Sequence, residues 1–152
     1  MRAPYVCVRL RSRSSKALKQ HHVEFIVAPY EADAQLAYLA LNGHVEAVIS
    51  EDSDLLAYGC PRVLFKMDKL GNAQQICLRD LGSCTSPNLT HYTHEMFRYV
   101  CILAGCDYLP SPKNMGVKTA ISLLSRTKDI QRVRGISHSF DRSILHSIRW
   151  IE

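Results

Sequence analysis

One stretch constrains this chain more than any other: a strand-like run, a proline break, a helix and a second strand-like run follow one another between positions 23 and 49. Val23-Glu24-Phe25-Ile26-Val27 is a short apolar run of the kind that forms buried strands. Ala28-Pro29-Tyr30 breaks it, because proline has no N–H to give and stiffens the backbone. Glu31 to Leu41 then reads as a helix, with Ala32, Leu36, Leu39 and Ala40 on one face, and Asn42-Gly43 stops it. Val45-Glu46-Ala47-Val48-Ile49 is the second strand-like run. Strand, helix, strand in that order predicts a right-handed parallel unit, and the fold class expected is α/β with a parallel-type sheet.

Further along, Arg62–Met67 and Ala73–Leu78 read as strands on either side of Asp68-Lys69-Leu70-Gly71-Asn72, a hairpin connection. Residues 80–92 read as a loop. Thr93 to Ala104 reads as a helix with Met96, Tyr99, Val100 and Leu103 along one stripe. A Pro- and Gly-containing linker, 105–116, leads to a second helix from Val117 to about Ser125. The expected organisation is an unassigned basic segment (1–20), an α/β region (21–92), a helix–hairpin–helix region (93–126) and a helical tail (127–152). There are no internal repeats.

With 47% apolar and 22% charged residues, 152 residues suffice for a compact domain with a core, and wholesale disorder is excluded. No apolar run approaches the ~20 residues that a membrane-spanning helix needs, so a soluble protein is expected. The formal charge is +5 and the pI is about 9.0. Basic residues crowd the first 20 positions and the stretch from Lys113 to Arg149, whereas most acids lie between positions 24 and 107. That balance is compatible with a polyanionic partner without requiring one. The six cysteines contain no CxxC pair and read as reduced, mostly buried thiols of an intracellular protein. Cys84, His91, His94 and Cys101 could be imagined as a zinc set, but their spacing fits no common zinc pattern and ordinary packing is the favoured reading.

The acids carry the chemistry. Glu31 and Asp33 open the helix after the first strand, and Asp52 and Asp54 follow the second strand directly. Loops at the carboxyl ends of parallel strands converge, and four carboxylates brought together repel unless a cation neutralises them. Hard divalent metals with oxygen ligands meet that need. Each pair alone has a plainer reading: first-turn acids stabilise a helix dipole, and Glu51-Asp52-Ser53-Asp54 could cap the next helix. Taken together they favour a metal. Asp107, after Gly105-Cys106, is either a fifth member or a turn aspartate. Downstream, a tight turn closing at Gly116 and opening a helix would present backbone amides that, with Lys118 and the Thr119 hydroxyl, suit a DNA phosphate. An ordinary helix-packing turn is the alternative.

Four motifs then occur in order: Ala28-Pro29-Tyr30-Glu31-Ala32-Asp33-Ala34-Gln35; Glu51-Asp52-Ser53-Asp54-Leu55-Leu56 with Tyr58-Gly59-Cys60; Lys66-Met67-Asp68; and Cys101-Ile102-Leu103-Ala104-Gly105-Cys106-Asp107-Tyr108-Leu109. Over about Val23 to Leu124 the chain resembles the flap endonuclease/XPG family, most closely in its exonuclease-type wording. The resemblance implies a nuclear 5′ nuclease of DNA replication and repair that hydrolyses phosphodiesters with two divalent ions, magnesium or in its place manganese. It implies that Glu31, Asp33, Asp52, Asp54 and Asp107 are metal-ligating, catalytic acids. It also implies that Asn114, Met115, Gly116, Val117, Lys118 and Thr119 belong to a helix–hairpin–helix that grips duplex DNA, with a potassium ion ordered there.

Two departures shape the expectation. Asn114 stands where the family's hairpin has its first glycine, and asparagine tolerates the left-handed backbone better than most residues. Residues 1–20 resemble nothing of the family's N-terminal region, which supplies further acids, sheet strands and a basic arch. Residues 1–15 have the composition of an organelle-targeting segment or of a stray start to an incomplete gene model, the second being favoured. The expectation is therefore a nuclease-family chain with a truncated catalytic set, an open sheet edge and poor activity. A non-catalytic DNA-binding module is the alternative, and a fragment with no stable product is a third reading.

Overall fold

The computed structural model describes residues 6–8, 13–107 and 110–127. The chain divides into two compact units, Met1–Asp80 and Leu81–Glu152. A 3₁₀ helix, Leu78–Ser83, runs across the division. No helix among the described residues is long and apolar enough to cross a membrane.

The first unit holds β1 (Val6–Val8), α1 (Arg13–Gln20), β2 (Phe25–Val27), α2 (Ala32–Leu41), β3 (Val48–Ile49), α3 (Asp54–Ala57), β4 (Arg62–Phe65) and β5 (Gln74–Cys77). α2 forms where the sequence favours it, in a run of Ala, Leu and Gln, all good helix formers. It stops at the expected Asn42-Gly43. Gly43 takes φ 68°, its N–H reaches the Ala40 carbonyl, and the His44 N–H folds back onto Leu39 C=O at 2.9 Å. The buried side of α2 differs by a notch from the expected face. Ala37, Leu39 and Ala40 are buried, whereas Ala32 and Leu36 are half-buried. Ala37 and Ala40 join Val48, Leu55, Cys60 and Val63 in the core of this unit, with Leu36, Val45, Tyr58 and Phe65 packed around them.

The pairing of strands departs from expectation. The runs at 23–27 and 45–49 do not neighbour each other in one sheet. β2 pairs in parallel with β1, Phe25 opposite Val6, while β3 pairs in parallel with β4, Val48 opposite Val63. Strand, helix, strand order fixes a parallel sense and a hand but does not choose which strand becomes the neighbour. Two parallel units are realised instead, β1–α1–β2 and β3–α3–β4, and each connection has the roughly dozen or more residues that such a crossover needs. β1 was also unexpected. Three residues, Val6-Cys7-Val8, are too few to show an alternation within an Arg- and Ser-rich stretch.

β4 and β5 form the expected antiparallel hairpin, Arg62 opposite Cys77 and Phe65 opposite Gln74. Asp68 locks its turn. One carboxylate oxygen accepts the N–H groups of Leu70 (2.8 Å) and Asn72 (2.9 Å), and the other accepts from the Asn72 side-chain amide at 2.8 Å. These bonds, Asn72's foremost, hold the Asp68 carboxyl below the usual carboxylate range.

The second unit is built on α4 (His94–Ala104) and α5 (Val117–Thr127). Thr93, the first residue of the expected helix, proves to be the cap of α4, its hydroxyl accepting the Met96 N–H at 3.2 Å. The expected stripe is the buried one. Tyr99, Val100 and Leu103 close on Ala120 and Leu124 of α5, with Met96 half-buried. Gly105 ends α4 at φ 104°, and a Cβ there would stand 3.1 Å from the Ser111 nitrogen, so the return of the chain depends on this glycine. The 80–92 stretch is more ordered than a loop: besides the 3₁₀ helix it contains a Thr85–Asn88 bridge and a Leu89 N–H to Cys84 C=O bond. The helical tail expected over 127–152 lies, apart from Thr127, outside the described residues.

Candidate functional site

Glu31 occupies the N-cap position of α2 in extended conformation, and its side chain does not cap the helix. Asp33 stands in the first helical turn, and both are half-buried. Asp52 and Asp54 are exposed on the connection from β3 to α3. This connection is tightly turned: Asp52 N–H donates to Ser50 Oγ at 3.0 Å and Asp54 N–H to Asp52 Oδ1 at 2.9 Å. The N-cap of α3 is Ser53 and makes no side-chain cap bond, so the acidic run does not cap the helix; one oxygen of Asp52 instead closes the turn that precedes it. A carboxylate has about four acceptor positions, so this bond leaves coordination chemistry open to it.

These two acid-bearing segments do not leave neighbouring strands of one sheet, as the sequence suggested, because β2 and β3 lie in separate sheets. Packing associates them instead. α2, which begins with Asp33's turn, packs on both β3 and α3, and α3 begins with Asp54. Electrostatics report the same closeness. The buried Cys60 thiol is pushed up to about 11, first by desolvation and then by the negative charge of Asp33. Cys60 closes the α3 turn, its N–H on Leu55 C=O at 3.0 Å. Asp33 is therefore within electrostatic reach of the segment that carries Asp54.

The donors are hard oxygens, which suits a divalent ion such as magnesium. Their number at any one point is a different matter. Among the described residues, no three His, Cys, Asp or Glu side chains stand together so that they could hold a metal ion. That statement covers the four acids of the first unit. It also covers Cys84, His91, His94 and Cys101, which are not gathered as a zinc set. Asp107 is exposed and follows α4 in the second unit.

The hairpin before α5 is a backbone construction. Met115 N–H closes onto Pro112 C=O at 2.9 Å, and Asn114 takes φ 64°. The left-handed residue of the turn is thus Asn114, the type best suited to it after glycine, as its place in the motif suggested. A Cβ added at Gly116 would meet nothing within 4 Å, so that side of the turn is open. The first helical bond is Ala120 N–H to Gly116 C=O, which leaves the amides of Val117, Lys118 and Thr119 ahead of the ladder. Lys113, Asn114, Lys118 and Thr119 are exposed.

Sequence reasoning missed two residues that hold these segments. Tyr92 donates its hydroxyl hydrogen to Ile121 C=O at 2.7 Å and lies 2.8 Å from Ser125 Oγ, bracing α5 about one turn beyond the hairpin. Nothing in its context marks it, since it merely precedes the Thr93 cap. Glu51 accepts the Lys66 N–H at 2.8 Å and ties the acid loop to the end of β4. Its neighbours in the acidic run masked that separate role.

Comparison with known proteins adds the lineage. Exonuclease 1 of Xenopus laevis is 52% identical over 120 residues, which are 78% of this chain and 16% of that protein. The solved flap endonuclease-1 from Methanococcus jannaschii superposes with a TM-score of 0.65 at 29% identity, over 78% of this chain and 36% of that one. The Holliday junction-resolving enzyme GEN1, solved with product DNA and Mg2+, gives 0.62 at 25% identity over 78% and 32%. These neighbours bear out the α/β fold class. The chain spans less than a third of the length of the curated relatives it matches, 14% of Exonuclease 1 of Oryza sativa and 16% of that of Arabidopsis thaliana among them. Residues 22–107 match the model of the XPG I-region, more than half of the chain, and on that match the chain belongs to the XPG family.

Proposed function

We propose that these residues form part of the metal-dependent active site, and the DNA-gripping hairpin, of a nuclear 5′ nuclease of DNA replication and repair. The substrate is duplex DNA with a 5′ end, flap, nick or gap, and the reaction is phosphodiester hydrolysis. The observation that carries this reading is the packing of α2 on α3, which associates the Glu31–Asp33 turn with the segment bearing Asp52 and Asp54. The names of similar proteins support it: an exonuclease, a flap endonuclease and a junction-resolving enzyme held with DNA and Mg2+.

Glu31, Asp33, Asp52 and Asp54, with Asp107 as a fifth acid, are the residues that would hold magnesium, or manganese in its place. Two such ions, when bound, supply an activated water and stabilisation of the leaving oxygen. The chain's own part is to offer oxygen donors from helix and loop starts, and to grip phosphate with the Asn114–Thr119 amides and Lys118. A potassium ion at the hairpin belongs to the same reading. Since the described acids do not by themselves surround an ion, the 152-residue polypeptide assayed alone is expected to cleave slowly or not at all. The test is magnesium-dependent cleavage of a 5′-flap or recessed duplex. Robust turnover that vanishes in Asp52→Ala would overturn the expected weakness and strengthen the assignment.

A second reading, a non-catalytic duplex-binding module, is favoured by one observation: the hairpin's turn, cap and core all lie within the second unit. Saturable divalent-ion binding by the acids favours the first reading. Salt-sensitive duplex binding without it favours the second.

A further inference from the structure

Glu51 shares an acidic run with Asp52 and Asp54, yet its carboxylate is engaged elsewhere, on the backbone N–H of Lys66, fifteen residues along the chain. The ladder between β3 and β4 explains what this bond replaces. Val48 faces Val63 and Ile49 faces Leu64 in parallel register. One more ladder bond forms past the strand end, Ser50 N–H to Leu64 C=O at 3.1 Å. In a parallel ladder a residue that donates to one flank of its partner accepts from the other flank, two residues further on. Continued once more, that pattern would place the Lys66 N–H on the Ser50 carbonyl. The Glu51 side chain receives it instead.

A side-chain oxygen thus stands in for a strand carbonyl, and the backbone is released to turn. It does so at once: Asp52 N–H folds onto Ser50 Oγ, Asp54 N–H onto Asp52 Oδ1, and α3 begins at Asp54. Lys66 sits at φ 53°, so the chain beyond its amide leaves the strand direction at the same point.

We infer that Glu51 is a positioning residue: its carboxylate ends β3 in place of a ladder carbonyl, sets where the Asp52–Asp54 loop leaves the strand, and is not an ion ligand. The functional half of this inference rests on the reading of Asp52 and Asp54 as ligands, and the structural half does not. Because the role needs an acceptor oxygen rather than a charge, glutamine can fill it and alanine cannot.

Residue-by-residue amide exchange and Mn2+ titration of the 152-residue chain separate the possibilities. Glu51→Ala is expected to speed Lys66 amide exchange by about tenfold and to weaken Mn2+ binding by about threefold or more. Glu51→Gln is expected to keep both within about twofold of the unsubstituted chain. Loss of Mn2+ affinity in Glu51→Gln equal to that in Glu51→Ala, with Lys66 still protected, would make Glu51 a direct ligand and overturn the inference. So would unchanged Lys66 exchange in Glu51→Ala. If the alanine variant fails to fold, the glutamine variant decides alone: retained affinity supports the role, and a loss of about tenfold contradicts it. A chain that binds no Mn2+ but whose Lys66 exchange follows this Ala-against-Gln pattern would remove the ion reading and leave the strut.

Discussion

The two units use acids and amides in opposite ways. In the second unit the proposed contact with DNA is made by backbone, at a hairpin whose turn, left-handed residue and supporting core lie between Tyr92 and Leu124. In the first unit the proposed contact with metal is made by side chains from two segments, associated through the packing of α2 on β3 and α3. A backbone site is complete once its local turn forms. A side-chain site is complete only when separate segments converge, and among the described residues no three such groups do. The difference predicts unequal robustness: the hairpin should tolerate loss of the acids, and the acids should be sensitive to small shifts of their loops.

The largest expected effect comes from emptying the second unit's core. Leu124 is 1% exposed, and Leu124→Ala is expected to cost about 2–5 kcal/mol, read as a lowered melting temperature. Duplex binding should fall with it while Mn2+ binding at the first unit's acids persists. Loss of both would break the proposed independence. Next is Asn114→Val, which places a β-branched residue at φ 64° and should cost about 1–2 kcal/mol, with weaker duplex binding in a salt titration. Asn114→Gly should bind at least as well as the original. Tyr92→Phe removes a hydroxyl that bonds to Ile121 C=O and lies beside Ser125, and is expected to cost about 1 kcal/mol in chemical denaturation.

The smallest effect, a change of pH dependence confined to alkaline solution, concerns Cys60. Its thiol is raised to about 11, so the folded chain resists deprotonation that the unfolded chain undergoes nearer the ordinary value of 9.0. The contribution is whole below the unfolded value and is lost as pH rises from there through 11. Cys60→Ser should flatten that alkaline decline in a pH series of melting curves. Cys60 should also remain unmodified by thiol reagents at pH 8 under conditions that label the half-buried Cys84, Cys101 and Cys106.

What was legible in the sequence follows the same division. α2, α4 and α5 are long enough for an apolar stripe to repeat, and Thr93, Asn42-Gly43 and Asp68–Asn72 mark their ends and the hairpin by local chemistry. Asn114 was readable because a left-handed position admits few residue types. Strand pairing was not readable: β1, β2 and β3 have two or three residues each, too few to select a partner by alternation. The acids themselves were visible as residues, but their convergence depends on pairing and packing that the pattern does not contain. Glu51 shows the limit most clearly. Its residue type fitted the acid cluster, and only the β3–β4 register shows that it replaces a carbonyl.

The central claim, that the two acidic segments of the first unit serve one cation, is tested most directly by mapping Mn2+ broadening across the backbone amide signals of the chain. At substoichiometric Mn2+, the account expects signals of residues 31–33 and 51–54 to broaden together and before all others. Broadening of one segment without the other, or spread over surface acids such as Glu46 and Asp80, would contradict it.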